Sequence, residues 1–265
     1  MSGAPQPEEI YRRTKEEGER RLQRPLLEMI STALAAGFDI TAGVVALGIT
    51  AASFTERTGI HPAHVLSSLA FGIGFVFLVV GRGELFTENF LVPIAGLDHR
   101  RGSSWLALAR LWITSPIFNI VGGLIMVFIL SAQNVLPEGV SHALEVNADN
   151  IHAAGSMALF LSAIFAGALI TAMTWFVEGQ ESMMVRVVVS WIAGSLLALG
   201  SFNHVIVITL ELVFGLRFGA HYDWTFIAGN FGLAVLGNMI GGLGLVTLNR
   251  LTQGKSGESN SASST

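Results

Sequence analysis

Apolar runs long enough to cross a membrane are the feature that most constrains this chain. One run, Val65 to Gly81, reads VLSSLAFGIGFVFLVVG and contains no charged residue. A bilayer core about 30 Å thick is spanned by roughly 20 apolar residues in a helix. Only 13% of the 265 residues are charged and 51% are hydrophobic, whereas soluble domains carry about 25% charged residues. The sequence therefore predicts an all-α integral membrane protein.

Six apolar runs are predicted to span the bilayer. The first lies at about 26–52, and the second starts near residue 63 and contains a polar segment. The other four lie at about 105–131, 153–177, 185–216 and 224–248. Residues 26–249 form the predicted transport domain. Residues 1–25 are predicted to hold a cytoplasmic charged helix, solvated or interfacial, that leads into the membrane. Residues 250–265 are predicted to be a disordered cytoplasmic tail because they are rich in small polar residues.

Polar residues interrupt the second and the fifth predicted spans. The first break, Gly81 to Asn89, contains the stretch GELFTENF, and the second break, Gly200 to His204, reads GSFNH. Each interrupted span is the middle one of three, and an odd number of spans inverts the second half. Broken helices at corresponding positions of inverted halves indicate a transport path near the midplane, since non-helical backbone at that depth must line a cavity or be buried in protein.

Lysine and arginine predict the orientation, because they concentrate in cytoplasmic loops. The N-terminal segment has six of them, and Arg100 and Arg101 follow the second span. Loops on the opposite side hold only Arg57 and Arg217, and the segment 133–150 holds none. Both termini are therefore predicted to be cytoplasmic.

His204 is the strongest candidate for chemistry in the path. An ionisable residue this deep in a membrane is a functional candidate, and the ordinary histidine pKa of about 6.5 lets modest surroundings decide its charge. The alternative is a neutral histidine that bonds a freed backbone carbonyl at the break. Thr87, in the first break, offers a hydroxyl that both donates and accepts.

Other polar and charged residues within the predicted spans are expected to have structural roles. Glu84, Glu88 and Asn89 are predicted to satisfy backbone groups opened by the first break, with Arg82 as the buried partner of the glutamates or a headgroup contact. Asp39, about 13 residues into the first span, is predicted to pair or pack. Glu211, seven residues after His204, is predicted to lie nearer the outer surface.

Other chemistries find little support in the sequence. The chain has no cysteine, which excludes disulfides and Cys-ligated metals. The outer-side histidines are not spaced like metal ligands, and no basic patch suggests nucleic acid. We expect no cofactor and no metal. Dense glycines in the third and sixth spans predict close helix packing, with Asn119, Asn230 and Asn238 bonding across helices.

At GELFTENF, SFNHVIVI and GNMIGG the chain resembles the formate/nitrite transporter family. The resemblance implies a six-span, aquaporin-like fold in a bilayer, assembled as a homopentamer in the inner membrane with one path per protomer. It also implies a small monovalent anion as substrate, such as formate, nitrite or hydrosulfide, or the matching acid. The residues that match family path positions are Thr87, His204, Phe71, Phe75, Leu85, Ile170 and Asn238.

The chain also departs from the family pattern. Asn203-His204-Val205 stands where the family commonly has Glu-His-Ser, and Leu197 stands in place of a second constriction phenylalanine. Gly167 occupies the place of an asparagine, and a lysine near the outer mouth is missing from the start of the fourth span. These departures predict a path that is wider and less cationic on the outside.

Two alternatives remain beside anion transport. A channel for a neutral solute of the aquaporin kind would carry paired Asn-Pro-Ala motifs at its breaks, and this chain has none. A membrane-embedded enzyme would need a nucleophile, a metal cluster or an acid–base pair supported by a motif. Transport of a weak-acid anion, as the neutral acid or with a proton, is the function that the sequence favours, and an enzyme is not expected.

Reporter fusions test the predicted orientation. Fusions after Asp98 and after Lys255 should report the cytoplasm, and a fusion near Gly139 should report the outside, because positive charge is retained on the cytoplasmic side. Paired phosphatase and fluorescent reporters at each site provide the measurement. A cytoplasmic signal at Gly139 would contradict the inverted arrangement.

Overall fold

The regular secondary structure of the described chain is helical. The computed structural model describes residues 5–262, with side chains described as far as residue 255. The helices are α1 (Pro7–Leu22), α2 (Leu26–Thr58), α3 (Ile60–Gly81), a 3₁₀ helix (Phe86–Phe90), α4 (Val92–Ala95), α5 (Gly102–Leu130), α6 (Val140–Ala153), α7 (Ser156–Glu178), α8 (Met183–Leu199), α9 (Val205–Phe218), α10 (Trp224–Met239), a π-helical segment (Ile240–Thr247) and α11 (Leu248–Ala262). The all-α class predicted from the sequence is confirmed.

Among residues 5–262, five helical stretches are long and apolar enough to cross a membrane. They are α2, α3, α5, α7 and the continuous run Trp224–Lys255. The predicted fifth span is divided between α8, with 17 residues, and α9, with 14. Because a membrane crossing needs about 20 helical residues, neither piece reaches that length alone.

The helices are interrupted where the sequence places the two breaks. α3 ends at Gly81, and Arg82 adopts a left-handed conformation with φ of 55°. α8 ends at Leu199, Ser201 has φ of 48°, and α9 begins at Val205. The pieces that follow the breaks differ in length, because α4 has only 4 residues.

The two outer helix pairs pack in the same manner. α2 packs against α5, α7 packs against α10, and α3 packs against α8 between them. A Cβ atom on Gly37 would overlap the carbonyl oxygen of Asn119, and one on Gly167 would overlap that of Asn238. Gly167 therefore sits in a helix–helix contact. The wider path stays a prediction from the departures taken together, and Gly167 does not itself support it, because a side chain there would meet the backbone of Asn238.

α1 is docked on the protein, which differs from the predicted solvated or interfacial lead-in helix. Tyr11, Thr14, Gly18, Arg21 and Leu22 form a buried stripe along it. The spacing of these residues, three or four apart, places them on one helix face. That face packs against α4 and α11.

The C-terminal segment also differs from its prediction. α11 extends to Ala262, where the sequence composition predicts a disordered tail over 250–265. The helix is continuous with the apolar π-helical segment, and Gly254 packs directly on the Tyr11 side chain of α1. The contact with α1 explains why the first part of α11 is helical, which the composition of the segment does not indicate. Residues 263–265 of the predicted tail lie outside the described residues.

Candidate functional site

Asn238 of α10 holds the second break together. Its Nδ2 donates to the carbonyl oxygens of Ala163 at 2.8 Å and Asn203 at 3.0 Å, and its Oδ1 accepts from the Val205 N–H at 2.9 Å. Buried backbone groups must find partners, and this fully buried amide supplies them. Both of its N–H donors are bound to the backbone.

Asn119 of α5 makes the same three bonds at the first break. Its Nδ2 donates to the carbonyl oxygens of Ala33 and Glu84, both at 2.9 Å, and its Oδ1 accepts from the Phe86 N–H at 2.9 Å. Glu84 and Phe86 thus take the places that Asn203 and Val205 take at the second break. Leu85 consequently occupies the position at the first break that His204 occupies at the second.

The central side chains of the two breaks meet in a hydrogen bond. Thr87 Oγ1 lies 2.8 Å from His204 Nε2, and both residues are fully buried. The other ring nitrogen of His204, Nδ1, accepts from the Val207 N–H at 3.4 Å and so caps the N-terminus of α9. Because Nδ1 accepts, the neutral ring carries its proton on Nε2 and donates to Thr87. The Thr87 hydroxyl hydrogen is left to donate to a third group.

Apolar side chains surround this pair. The rings of Phe71 and Phe75 are 6.0 Å apart, and the Phe75 ring meets the His204 imidazole edge-on at 6.4 Å. Leu85 and Ile170 are fully buried in the same hydrophobic cluster. The structure thus brings the predicted residues Phe75, Thr87 and His204 into contact and packs Phe71 against Phe75.

Asn203 is committed to helix packing. Its Nδ2 donates to Asn230 Oδ1 at 2.8 Å and to the Leu159 carbonyl at 3.2 Å, while Asn230 Nδ2 donates back to Asn203 Oδ1 at 3.2 Å. The reciprocal amide pair links the second break to α7 and α10. Asn203 and Asn230 therefore bond across helices, as do Asn119 and Asn238, which agrees with the prediction for the three asparagines of the third and sixth spans.

Cavities lie on both sides of the Thr87–His204 pair. The α1-side cavity, about 320 Å³, is lined by charged residues of α1 and of the first break together with Leu78, one turn from Phe75. On the other side, a cavity of about 10 Å³ beside α6 is lined by Leu197 and Val207, among others. An outer α6-side cavity of about 310 Å³ shares Asn147, Ile151 and Ser201 with it. Leu197 thus lines the small α6-side cavity, and so does Val207, whose N–H donates to the His204 ring.

Arg24, just after α1, and Arg21 of α1 are the partners of the first-break glutamate. Arg24 Nη1 lies 2.5 Å from Glu84 Oε2, Arg21 Nε lies 3.6 Å from the same oxygen, and all three side chains are buried. Arg82 is exposed, so the predicted pairing of Arg82 with the glutamates is wrong. The charge pattern of α1 is typical of a solvated helix. Nothing in the sequence around Arg24 indicates that its partner is Glu84, sixty residues away.

Glu88 and Asn89 complete the first break. Glu88 Oε2 accepts from the Leu85 N–H at 2.9 Å, which is the backbone role predicted for it. Asn89 Oδ1 accepts from Arg21 Nη1 at 3.2 Å, and its Nδ2 donates to Ser115 Oγ at 3.3 Å. Asn89 therefore bonds side chains where the sequence predicts backbone partners.

Glu17 of α1, which pairs with Arg21, is itself charged in neutral and mildly acidic solution. Burial raises the pKa of Glu17, but hydrogen bonds from Arg20 and Arg21 and their charges outweigh burial and lower the pKa to about 2. Its stabilising effect is present above its ordinary pKa of 4.5 and is lost only as the pH falls through about 2. Glu17 therefore does not titrate between pH 7 and 5.

Two other predictions concern groups away from the pair. Asp39 is half-buried, and no lysine, arginine or histidine of the described chain lies within ion-pair distance of it. A Cβ on Gly83 would lie 3.1 Å from Asp39 Oδ2, so Asp39 packs against the first break. Within residues 5–262, no cluster of three His, Asp or Glu side chains is arranged to hold a metal.

A family model for formate/nitrite transporters matches residues 8–251. This chain belongs to the formate/nitrite transporter family. The match covers nearly the whole chain and confirms the resemblance found in the sequence motifs. It also confirms the prediction of a transport protein rather than an enzyme.

Individual formate/nitrite transporter relatives match at low identity. The inner membrane protein YfdC of Escherichia coli is 27% identical over 88% of this chain and 74% of its own length. The formate channel BtFdhC of Bacillus thuringiensis is 23% identical over 91% of this chain and 92% of its own.

Solved structures have the same fold. A pentameric formate channel with formate bound gives a TM-score of 0.71 at 20% identity, covering 84% of this chain and 95% of that channel. An ion channel of the same family gives a TM-score of 0.74 at 17% identity, covering 91% and 96%.

Replacing the bridging asparagines should destabilise both breaks equally. Asn119→Leu and Asn238→Leu each leave three buried backbone groups without partners, and one unsatisfied buried group costs about 1–3 kcal/mol. We expect each variant to lower the free energy of unfolding by at least about 2 kcal/mol. Unfolding of the purified protein in detergent, followed by circular dichroism, provides the measurement.

Asn150→Leu is the matched control for this comparison, because Asn150 is exposed. It should leave the unfolding curve unchanged. A large loss for only one of the two buried asparagines would contradict their equivalence.

Proposed function

We propose that this protein carries a small monovalent weak-acid anion, of the formate or nitrite kind, across the inner (cytoplasmic) membrane. The anion passes as the neutral acid or together with a proton, through a path inside each protomer. The observation that carries the proposal is the hydrogen bond between Thr87 and His204, buried between two cavities. The names of the formate channels among the relatives support the substrate class.

The proposed arrangement is an inverted repeat of two three-span halves with both termini in the cytoplasm. The matching bonds of Asn119 and Asn238 support the repeat, because each joins the break of its half to the first and third span. The α1-side cavity then faces the cytoplasm, and the α6-side cavities face the outside.

Apolar residues on either side of the Thr87–His204 pair make the passage of a bare anion unfavourable. On the α1 side, Leu78 and Phe75 are fully buried, and on the α6 side Leu197 is 1% exposed. An ion that loses its water without a partner carries a large free-energy cost. The neutral acid avoids most of that cost, so protonation of the anion makes the apolar passage possible.

Thr87 and His204 are the groups that receive the substrate in this mechanism. The free Thr87 hydroxyl hydrogen donates to a substrate oxygen. A protonated His204 pairs with the anion and gives it one proton, leaving neutral imidazole and the neutral acid. Loss of the proton frees Nδ1 to accept the Val207 N–H again, which returns the ring to the capped form seen in the structure.

His204→Ala should abolish proton-coupled uptake of formate, and Thr87→Val should impair it because the hydroxyl is removed at nearly constant volume. Uptake by the unmodified protein should rise as pH falls from about 7 to 5, because one proton accompanies each anion. Flux into proteoliposomes containing a pH-sensitive dye, measured beside the melting temperature of the same variants, provides the test.

His221→Ala is the matched control, since that histidine is exposed and pairs with Asp149 at the surface. It should transport normally. Full flux in both His204→Ala and His204→Asn would remove the central role of the histidine. Water or glycerol flux without any anion flux would favour the neutral-solute channel.

The proposed assembly is a homopentamer within the bilayer. The fold shared with a pentameric formate channel supports it, as does a continuous apolar groove between α5 and α10 that includes Ile117, Val121 and Phe231. Native mass spectrometry in mild detergent should give a pentamer, because such a groove is stabilised when a neighbouring protomer or lipid covers it. A tetramer or a monomer as the main species would contradict this assembly.

A further inference from the structure

Glu211 is a buried carboxyl that the Thr87–His204 mechanism does not use. It lies on α9, two turns beyond His204, and is only 5% exposed. Seven residues of helix separate the two by about 10 Å along the axis. Its side chain lines the small α6-side cavity together with Leu197 and Val207, and Val207 is three residues from His204 on the same helix.

This small cavity brings Leu197 and Glu211 into one lining. Its volume of about 10 Å³ is enough for about one water molecule. Asn147, Ile151 and Ser201 line both this cavity and the outer α6-side cavity of about 310 Å³. A solute that enters from the α6 side therefore meets Glu211 and Leu197 in the same cavity, and Glu211 lies two helical turns from His204 on α9.

Among the described residues, no lysine or arginine compensates Glu211. The Asn147 side chain of α6 hydrogen-bonds its carboxyl group, and neither α6-side cavity has a described lysine or arginine in its lining. Arg217, on the same helix, is exposed and donates to Ser131 Oγ at 3.2 Å. On this side of the path, the charged group beside the solute is a carboxyl, so attraction by a fixed positive charge is not available.

The titratable groups on the neighbouring elements are engaged elsewhere. On α6, Asp149 accepts from the His221 N–H, and the His152 ring packs against aromatic rings of the α10 segment. Tyr222, which precedes α10, donates its hydroxyl to the backbone of α9 at 2.6 Å, and Asp223 caps α10. None of these groups supplies a compensating charge to Glu211.

The outer α6-side cavity holds one histidine in its described lining, His64 of α3. Its Nε2 lies 3.0 Å from the carbonyl oxygen of Leu199, at the end of α8. In the described parts of α2 and α5, no lysine, arginine or histidine pairs with Glu211. Asn147 is thus the group that can tune the Glu211 carboxyl.

We propose that Glu211 and Asn147 form a proton-exchange site on the α6 side of the path. The neutral Glu211 carboxyl gives its proton to an entering weak-acid anion, which yields the Glu211 carboxylate and the neutral acid. The neutral acid passes Leu197, and the carboxylate recovers a proton from hydronium in the outer α6-side cavity, releasing water. The site rests on the proposed weak-acid transport and adds the group that loads the proton from this side.

The chemistry of the cavity favours this role over simple anion binding. A Glu211 carboxylate would repel an anion that approaches this chamber, so the anion approaches more readily when the carboxyl is neutral. Transfer of that proton removes the substrate's charge before the apolar wall formed by Leu197 and Val207. From the α6 side the Thr87–His204 pair then receives a neutral acid, and proton transfer from His204 applies to an anion that arrives from the α1 side.

Glu211→Gln tests the site, because it keeps the volume and the hydrogen bond to Asn147 but cannot exchange a proton. We expect formate uptake into right-side-out membrane vesicles to fall by about tenfold or more, since a positioned proton donor contributes at least that much to a proton-transfer step. The dependence of uptake on external pH should also flatten. Glu138→Gln makes the same chemical change at an exposed position on the same side and should leave both properties unchanged.

Asn147→Ala keeps the test valid if Glu211→Gln does not fold. It removes the hydrogen bond to the carboxyl from outside α9, so the pH of half-maximal uptake should shift while the pentamer and melting temperature are kept. An unchanged rate and pH profile in folded Glu211→Gln, or an unchanged pH midpoint in Asn147→Ala, would overturn the proposal.

The two proposals fail in different ways. If His204→Ala loses formate uptake and Glu211→Gln behaves like the unmodified protein, only the proton-exchange site is wrong. If the unmodified protein carries neither formate nor nitrite, the proposed function is wrong and the site is wrong with it.

Discussion

The structure depends on satisfying the backbone groups that two broken helices open inside an apolar core. Water is not available there, and an unpaired peptide group in such surroundings costs several kcal/mol. Two asparagines, Asn119 and Asn238, each bridge a break to a neighbouring span with three hydrogen bonds. Glycines at 37 and 167 let the helices approach closely enough for this bridging. Non-helical backbone, and with it the Thr87–His204 pair, persists because these bonds are made.

The structure of the first break also depends on the ion cluster that joins this break to the α1 segment. Glu84 is buried, and its compensating charges come from Arg21 and Arg24, near the beginning of the sequence. Removal of one partner of a buried ion pair is strongly destabilising, because the other charge is left uncompensated. The geometry of the first break is therefore tied to the docking of α1, whose ion cluster includes a glutamate that stays charged down to about pH 2.

Features that follow from local pattern could be predicted from the sequence. The length of the apolar runs predicts the helices, and the polar segments at 81–89 and 200–204 predict both breaks, because polar residues inside an apolar run mark an interrupted helix. The motif resemblance assigns Thr87 and His204 to one path. The docking of α1, the Arg24–Glu84 pair and the wrong prediction for Arg82 depend on contacts between distant segments, and a helix with alternating charges looks solvated until its partner is known. The close contact at Gly167 could not be predicted for a similar reason, since the backbone that excludes a side chain there belongs to α10.

The equivalence of Leu85 and His204 has an evolutionary consequence. Both residues lie between the two backbone groups that an asparagine holds, and in neither case does that asparagine bond their side chains. The asparagine bridges are thus independent of the central side chain, although at the second break the His204 ring also caps α9. Selection could change that residue in one half while the other stayed apolar, and the asparagine bridges would remain intact. Divergence of substrate preference within such an architecture can begin with point changes at the centre of a break, provided that the helix that follows keeps a cap at its N-terminus.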